Sequence, residues 1–281
     1  MVAGLAFIAT AIATVFAQAT AVRWSRTKAP HQGAWTIALA LFALASAALA
    51  TGASTGWDRG TFRAFFLLGA VLDVPWLALG TIYILFGRRI GDPVRVALLV
   101  FTGLAIGVVL AAPMHGAIPV TGIPVGKDHF GVFPRVLAGV GSGLGAVVVF
   151  VGAAWSAVRF ARSRKPGSGY LAGGNALIAL GTLILSSGGL LQGIVGSDEA
   201  FALTLAIGIA VIYGGFLVAS GVSRAAVVAA PPDSGGSDSV DQDSDADDVE
   251  GDGEGDSSRR SNLPANDRGS SSTSSTRVGS L

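Results

Sequence analysis

The apolar positions of the 281-residue chain gather into seven long runs, at about residues 2–22, 33–52, 61–86, 95–113, 133–158, 169–192 and 199–222. Each run approaches or exceeds the roughly 20 residues an α-helix needs to cross some 30 Å of hydrocarbon. Polar residues collect in the gaps between runs. The fifth run opens at Phe133-Pro134, and proline suits the first turn of a helix. The pattern predicts an all-α fold: a seven-helix transmembrane bundle over residues 1–228, followed by a disordered acidic tail over 229–281. The first run ends near "FAQA", which resembles a signal-peptide cleavage site. Its leading "MVAG" carries no positive charge, and Arg23, Arg26 and Lys28 follow the apolar stretch. A signal peptide has the reverse order, so this run reads as a first membrane helix.

Composition agrees with a membrane location. Charged residues make up only 13% of the chain and mean hydropathy is +0.61, against about 25% charged in soluble domains. The net charge of +1 hides a division. Residues through Val228 carry 15 Arg and Lys against 6 acids, whereas the remainder carries 4 against 12. Of the basic residues between runs or near their ends, 11 fall on one side of the predicted bundle and 4 on the other. Positive charge collects on the cytoplasmic side. The expected topology is therefore a multi-pass cell-membrane protein with its N-terminus outside and its C-terminus in the cytoplasm. Trp24, Trp35, Trp57 and Trp155 lie near run ends, where indoles act as interfacial anchors.

The tail, with "DSGGSDSVDQDSDADDVEGDGEGDSS", has too few apolar residues to offset chain entropy. It reads as a solvating segment that could also tether a protein partner. The other expected partner is the lipid bilayer. Nucleic acid is not expected, since the acidic tail and lipid-facing basic loops do not make a duplex-binding surface, and oligomeric state is open.

The third run is the one with internal chemistry. Gly69, Asp73, Trp76, Gly80 and Tyr83 recur at steps of four, three, four and three, so on a regular helix they share one face. Small residues, a carboxyl and two polar-tipped aromatics mark a face turned into the bundle. Pro75 cannot donate to the carbonyl of Val71, which predicts a kink and a local polar pocket. A charged Asp mid-membrane costs about 2.5–3.5 kcal/mol on insertion scales. The neutral acid is thus expected unless a cation approaches. Arg63 lies about 15 Å further along the same helix. Tyr213 and Thr102 lie at similar depth, with Asn175 and Gln192 nearer the ends of the sixth run; these offer hydrogen bonds and no counter-charge. The candidate intramembrane polar site is therefore Asp73, Trp76, Tyr83 and Tyr213. Its favoured role is a hydrogen-bonded packing centre, with a proton, cation or ligand site as the sharper reading.

Other features narrow the field. Gly139, Gly141, Gly143 and Gly145 form overlapping G-x-x-x-G patterns, which predict close helix contact. Gly69, Pro75, Gly80, Gly139 and Gly143 are taken as packing positions. The glycine run follows no strand and lacks the ending of a phosphate loop. With no cysteine, thiolate metal sites and cysteine nucleophiles are excluded. His115, Asp128 and His129 in the longest outer loop are the candidate metal ligands, but their spacing matches no established pattern, and no metal or cofactor is expected. A retinal protein needs a lysine inside its last helix; Lys28, Lys127 and Lys165 are all between runs. No hydrolase motif or paired catalytic carboxylates appear.

The block "FLLGAVLDVPWLALGTIYILFGRR", with the preceding "APHQGAWTIALALFALASAALATGASTGWDRGTFRAFF", resembles a group of uncharacterised bacterial seven-helix membrane proteins. The likeness covers the second and third runs and implies no activity. In that group asparagine often stands where this chain has Asp73, which argues against an obligatory proton carrier. More remotely, the layout is similar to the seven-helix sensory regions of histidine kinases. The expected function is a non-enzymatic, sensor-like or accessory membrane protein. The alternative is a small proton- or cation-coupled transporter using Asp73, and a membrane-embedded enzyme comes third.

Overall fold

The computed structural model describes residues 1–119, 122–163, 168–194 and 197–229. The predicted disorder of residues 230–281 lies outside the described part. The described elements are helical: α1 (Val2–Thr27), α2 (Pro30–Thr55), α3 (Arg59–Phe65), a π-helical segment (Phe66–Leu72), α4 (Asp73–Ala111), α5 (Gly126–His129), α6 (Val132–Ala161), α7 (Ser168–Ile194) and α8 (Asp198–Ala229). No strand occurs among the described residues, and an isolated bridge joins Met114 to Phe130. Six helical stretches are long and apolar enough to cross a membrane, as in a multi-pass membrane protein.

The helix ends follow local chemistry. α1 stops at Lys28 in the left-handed conformation, φ 53°. α2 begins on Pro30, whose missing N–H costs nothing in a first turn. α3 is capped by Asp58, which accepts from the N–H of Gly60 at 2.7 Å and of Thr61 at 3.0 Å. The Thr61 hydroxyl, followed by these two amides, holds the Asp58 carboxyl below its ordinary 3.8.

The third apolar stretch, Arg59–Ala111, counts 53 residues. A straight helix of that length would reach about 80 Å, far beyond any bilayer core. It folds at Gly87, whose φ of 70° and ψ of −168° are not helical and favour a residue without Cβ. Three hydrogen bonds show the two arms running back along each other. Tyr83 Oη donates to Asp92 Oδ1 at 2.8 Å, Trp76 Nε1 to Thr102 Oγ1 at 3.3 Å, and Arg63 Nη2 to the Ala112 carbonyl at 2.7 Å. The partners are 9, 26 and 49 residues apart, as in an antiparallel hairpin. The gap expected near residues 87–94 is thus a single-residue fold, and Arg88, Arg89 and Arg95 ride on helix.

Two of the expected interfacial indoles turn inward. Trp24 and Trp155 are exposed, but Trp57 is buried against Phe62 and Phe65, and Trp35 Nε1 donates to the Leu77 carbonyl at 3.3 Å. A side chain on Gly52 would run into Trp57, and one on Gly80 into Trp35; these glycines make the space the rings fill.

α7 and α8 are joined through glycine. A Cβ on Gly174 would sit 2.7 Å from the Gly215 carbonyl, and one on Gly215 2.6 Å from that of Gly174. Gly181 and Gly208 stand in the same relation, at 2.9 and 3.2 Å. The backbones therefore approach directly, as in lipid where small residues replace the hydrophobic drive.

Candidate functional site

The site is built where the third run departs from regular helix. The N–H of Asp73 donates to the carbonyl of Leu68, five residues back. Continued by two residues, that spacing would pair the Ala70 carbonyl with the nitrogen of Pro75, which has no hydrogen. The bond is supplied from α6: Ser142 Oγ donates to the Ala70 carbonyl at 2.7 Å. Gly141 and Gly145 let α6 come close enough, since a Cβ there would lie 2.9 Å from the Val71 carbonyl and 3.0 Å from that of Val74. The expected proline defect is real, but its satisfied acceptor is Ala70, because the wider π turn shifts the register by one.

Beside this junction is a cavity of about 590 Å³ between α2, the π segment, α4, α6, α7 and α8. Its polar lining includes Ser46, Asp73, Ser142 and Thr182; Phe42, Phe65 and Leu77 are among its apolar walls. Asp73 is 8% exposed and Ser46 2%. Among the described residues, the Asp73 carboxyl is reached only by backbone N–H groups of its own turn, with Val74 N–H at 2.6 Å. Among the described residues no cation pairs with it, and the Ser46 hydroxyl has no hydrogen-bond partner. Arg63, the nearest basic residue on the same run, is committed to the Ala112 carbonyl.

The expected stripe is divided. Gly69 and Asp73 line this cavity, whereas Trp76 and Tyr83 line a second cleft. α2 lies across the stripe, Ala45 meeting Gly69 and Trp35 meeting Gly80. The anticipated hydrogen-bond partners go elsewhere. Thr102 is taken by Trp76, and Asn175 donates to the Leu171 carbonyl at 2.8 Å. Tyr213 packs on Phe16 with ring centroids 5.0 Å apart and lines neither cavity. The side chain of Gln192 lies outside the described part. The packing expected at Gly139 and Gly143 falls instead on Gly141 and Gly145. A Cβ on either of the first pair would meet nothing within 4 Å, and both line the cavity.

The loop between α4 and α6 holds no metal-binding group of three or more His, Asp or Glu among the described residues. His115 and His129 face each other across the loop: the His115 N–H donates to the His129 carbonyl at 3.0 Å, and His129 Nδ1 lies 3.1 Å from the His115 carbonyl. The buried His129 ring sits edge-on to Phe62, 5.5 Å between centroids. It reads as a packing residue.

Ser46 and Ser142 were missed by periodicity, because a lone serine in an apolar run looks like any small residue. The available signal was Ser142 lying between Gly141 and Gly143, a hydroxyl carried on a close-approach face. Comparison with family models, with curated proteins and with solved structures returns no match, so the geometry carries the functional reading.

Proposed function

We propose that the protein is a non-enzymatic, sensor-like membrane protein of seven transmembrane helices that receives a small lipophilic ligand with one polar group in the Asp73 cavity. The observation that carries this is two deeply buried polar side chains, Asp73 and Ser46, with no partner on another helix among the described residues, facing one mostly apolar cavity. Buried polar groups are otherwise satisfied within the protein, and small-molecule sites combine apolar walls with few convergent polar groups. The count of seven treats the two arms of Arg59–Ala111 as separate spans, which the Arg63–Ala112 hydrogen bond supports. The excess of basic residues on one side of the predicted bundle supports an outside N-terminus. The likeness to uncharacterised seven-helix bacterial proteins fits this reading.

The test is a pair of measurements on purified protein. Mass spectrometry of small molecules released from the wild type should find a lipophilic compound that Gly143→Leu, which fills the cavity, no longer retains. Proteoliposomes should show no proton- or cation-driven flux. Flux that Asp73→Asn abolishes would establish the carrier in place of the sensor.

A further inference from the structure

A second cavity, of about 540 Å³, opens at the opposite end of the long hairpin, where α1 ends, α2 begins and α4 folds at Gly87. Its floor is buried: Ala34, Trp76, Leu79 and Tyr83. One side is apolar and faces outward, with Ile37 38%, Val96 57% and Leu99 52% exposed. The remaining lining carries charge: Lys28, Arg88, Arg95 and Asp92.

The charges do not cancel. Arg95 Nη2 lies 3.8 Å from Asp92 Oδ1, and the same oxygen accepts from Tyr83 Oη at 2.8 Å. Asp92 is thereby engaged twice. Lys28 and Arg88 have no carboxylate partner among the described residues, so the lining holds an excess of two cations. Both are placed by special backbone: Lys28 is the left-handed cap of α1, and Arg88 follows the positive-φ Gly87. Trp24, 42% exposed at the same rim, stands where indoles meet headgroups.

Cations at the mouth, an outward apolar wall and an interfacial indole fit an amphipathic anion. The geometry points to a single anionic phospholipid held in this cleft, its phosphate between Lys28 and Arg88 and an acyl chain along Ile37, Val96 and Leu99. Basic pockets between helices on the cytoplasmic side take such headgroups. A soluble phosphate would leave the apolar wall uncovered. So would the chain's own tail, whose acidic stretch is nearly devoid of apolar residues. Assignment to the cytoplasmic leaflet rests on the orientation proposed above, whereas binding itself does not.

Native mass spectrometry of the full chain with defined lipids tests the site. Phosphatidylglycerol should be retained at one copy, roughly tenfold or more over phosphatidylcholine, and Lys28→Gln/Arg88→Gln should remove that preference, on the scale of two juxtamembrane cations. Arg159→Gln/Arg162→Gln, which changes basic residues outside the cleft, should retain it. Millimolar inorganic phosphate should not displace the lipid. Equal retention of the two lipids, loss of preference in both double variants alike, or displacement by phosphate would each overturn the proposal. A full chain that binds no phosphatidylglycerol would also overturn it. Reversed orientation in a labelling experiment would move the site to the other leaflet without touching these outcomes.

Discussion

Single atoms decide the local structure around Asp73. Pro75 removes one donor, the π turn transfers the loss to the Ala70 carbonyl, and one hydroxyl on another helix restores the bond. Ser142→Ala should therefore destabilise the protein by about 1–3 kcal/mol, the cost of an unsatisfied buried acceptor, measurable as a shift in unfolding in mixed detergent. Gly141→Ser should not rescue it, because a side chain there meets the Val71 carbonyl. Asp58 sets a pH dependence outside the membrane. Its folded carboxyl is held below 3.8 by Thr61 and Gly60, so its contribution is present above the unfolded value and is lost as pH falls through the lowered one. The melting temperature of wild type should exceed that of Asp58→Ala near neutral pH. The difference should persist to about pH 4, the ordinary range for Asp, and vanish in stronger acid.

Between helices, backbone proximity is set by which glycines meet a neighbour. Gly139→Leu and Gly143→Leu enter open space, whereas Gly141→Leu and Gly145→Leu strike the backbone of α4 and the π segment. The first pair should express and purify folded, with the cavity reduced. The second pair should lose folded protein by size-exclusion chromatography, as overpacked close contacts do. The alternation was legible as four glycines two apart, and it predicts close contact in general. Which two carry it depends on the rotation of α6 against its neighbour, which no pattern within α6 contains. The pairing of α7 with α8 is similar: Gly174, Gly181, Gly208 and Gly215 stand seven apart in two sets, a heptad spacing visible along the chain once the partner helix is known.

For the whole bundle, the decisive question is whether Arg59–Ala111 crosses once or twice. The chain has no native cysteine, so single replacements report sidedness without background. Under the hairpin and the proposed orientation, Thr55→Cys and Gly116→Cys should both be labelled by an impermeant maleimide from outside in intact cells, and Arg89→Cys only after permeabilisation. Labelling of Thr55→Cys and Gly116→Cys from opposite sides would mean one crossing. A disulfide formed between Arg63→Cys and Ala112→Cys would report the same fold directly.

The sequence by itself determined the helical class, the apolar runs, the proline defect at Pro75 and the carboxyl two residues before it. These depend on short-range periodicity and on the chemistry of single residues, both readable along one strand of text. Only the tertiary structure decided that Asp73 faces a cavity and lacks the partners at similar depth, that Trp35 and Trp57 fill glycine gaps, and that Lys28 and Arg88 share one cleft. Each of those depends on the rotation and crossing of helices brought together from distant parts of the chain. In an apolar environment many such arrangements bury similar surface, so the choice falls to close backbone contacts and a few cross-helix hydrogen bonds.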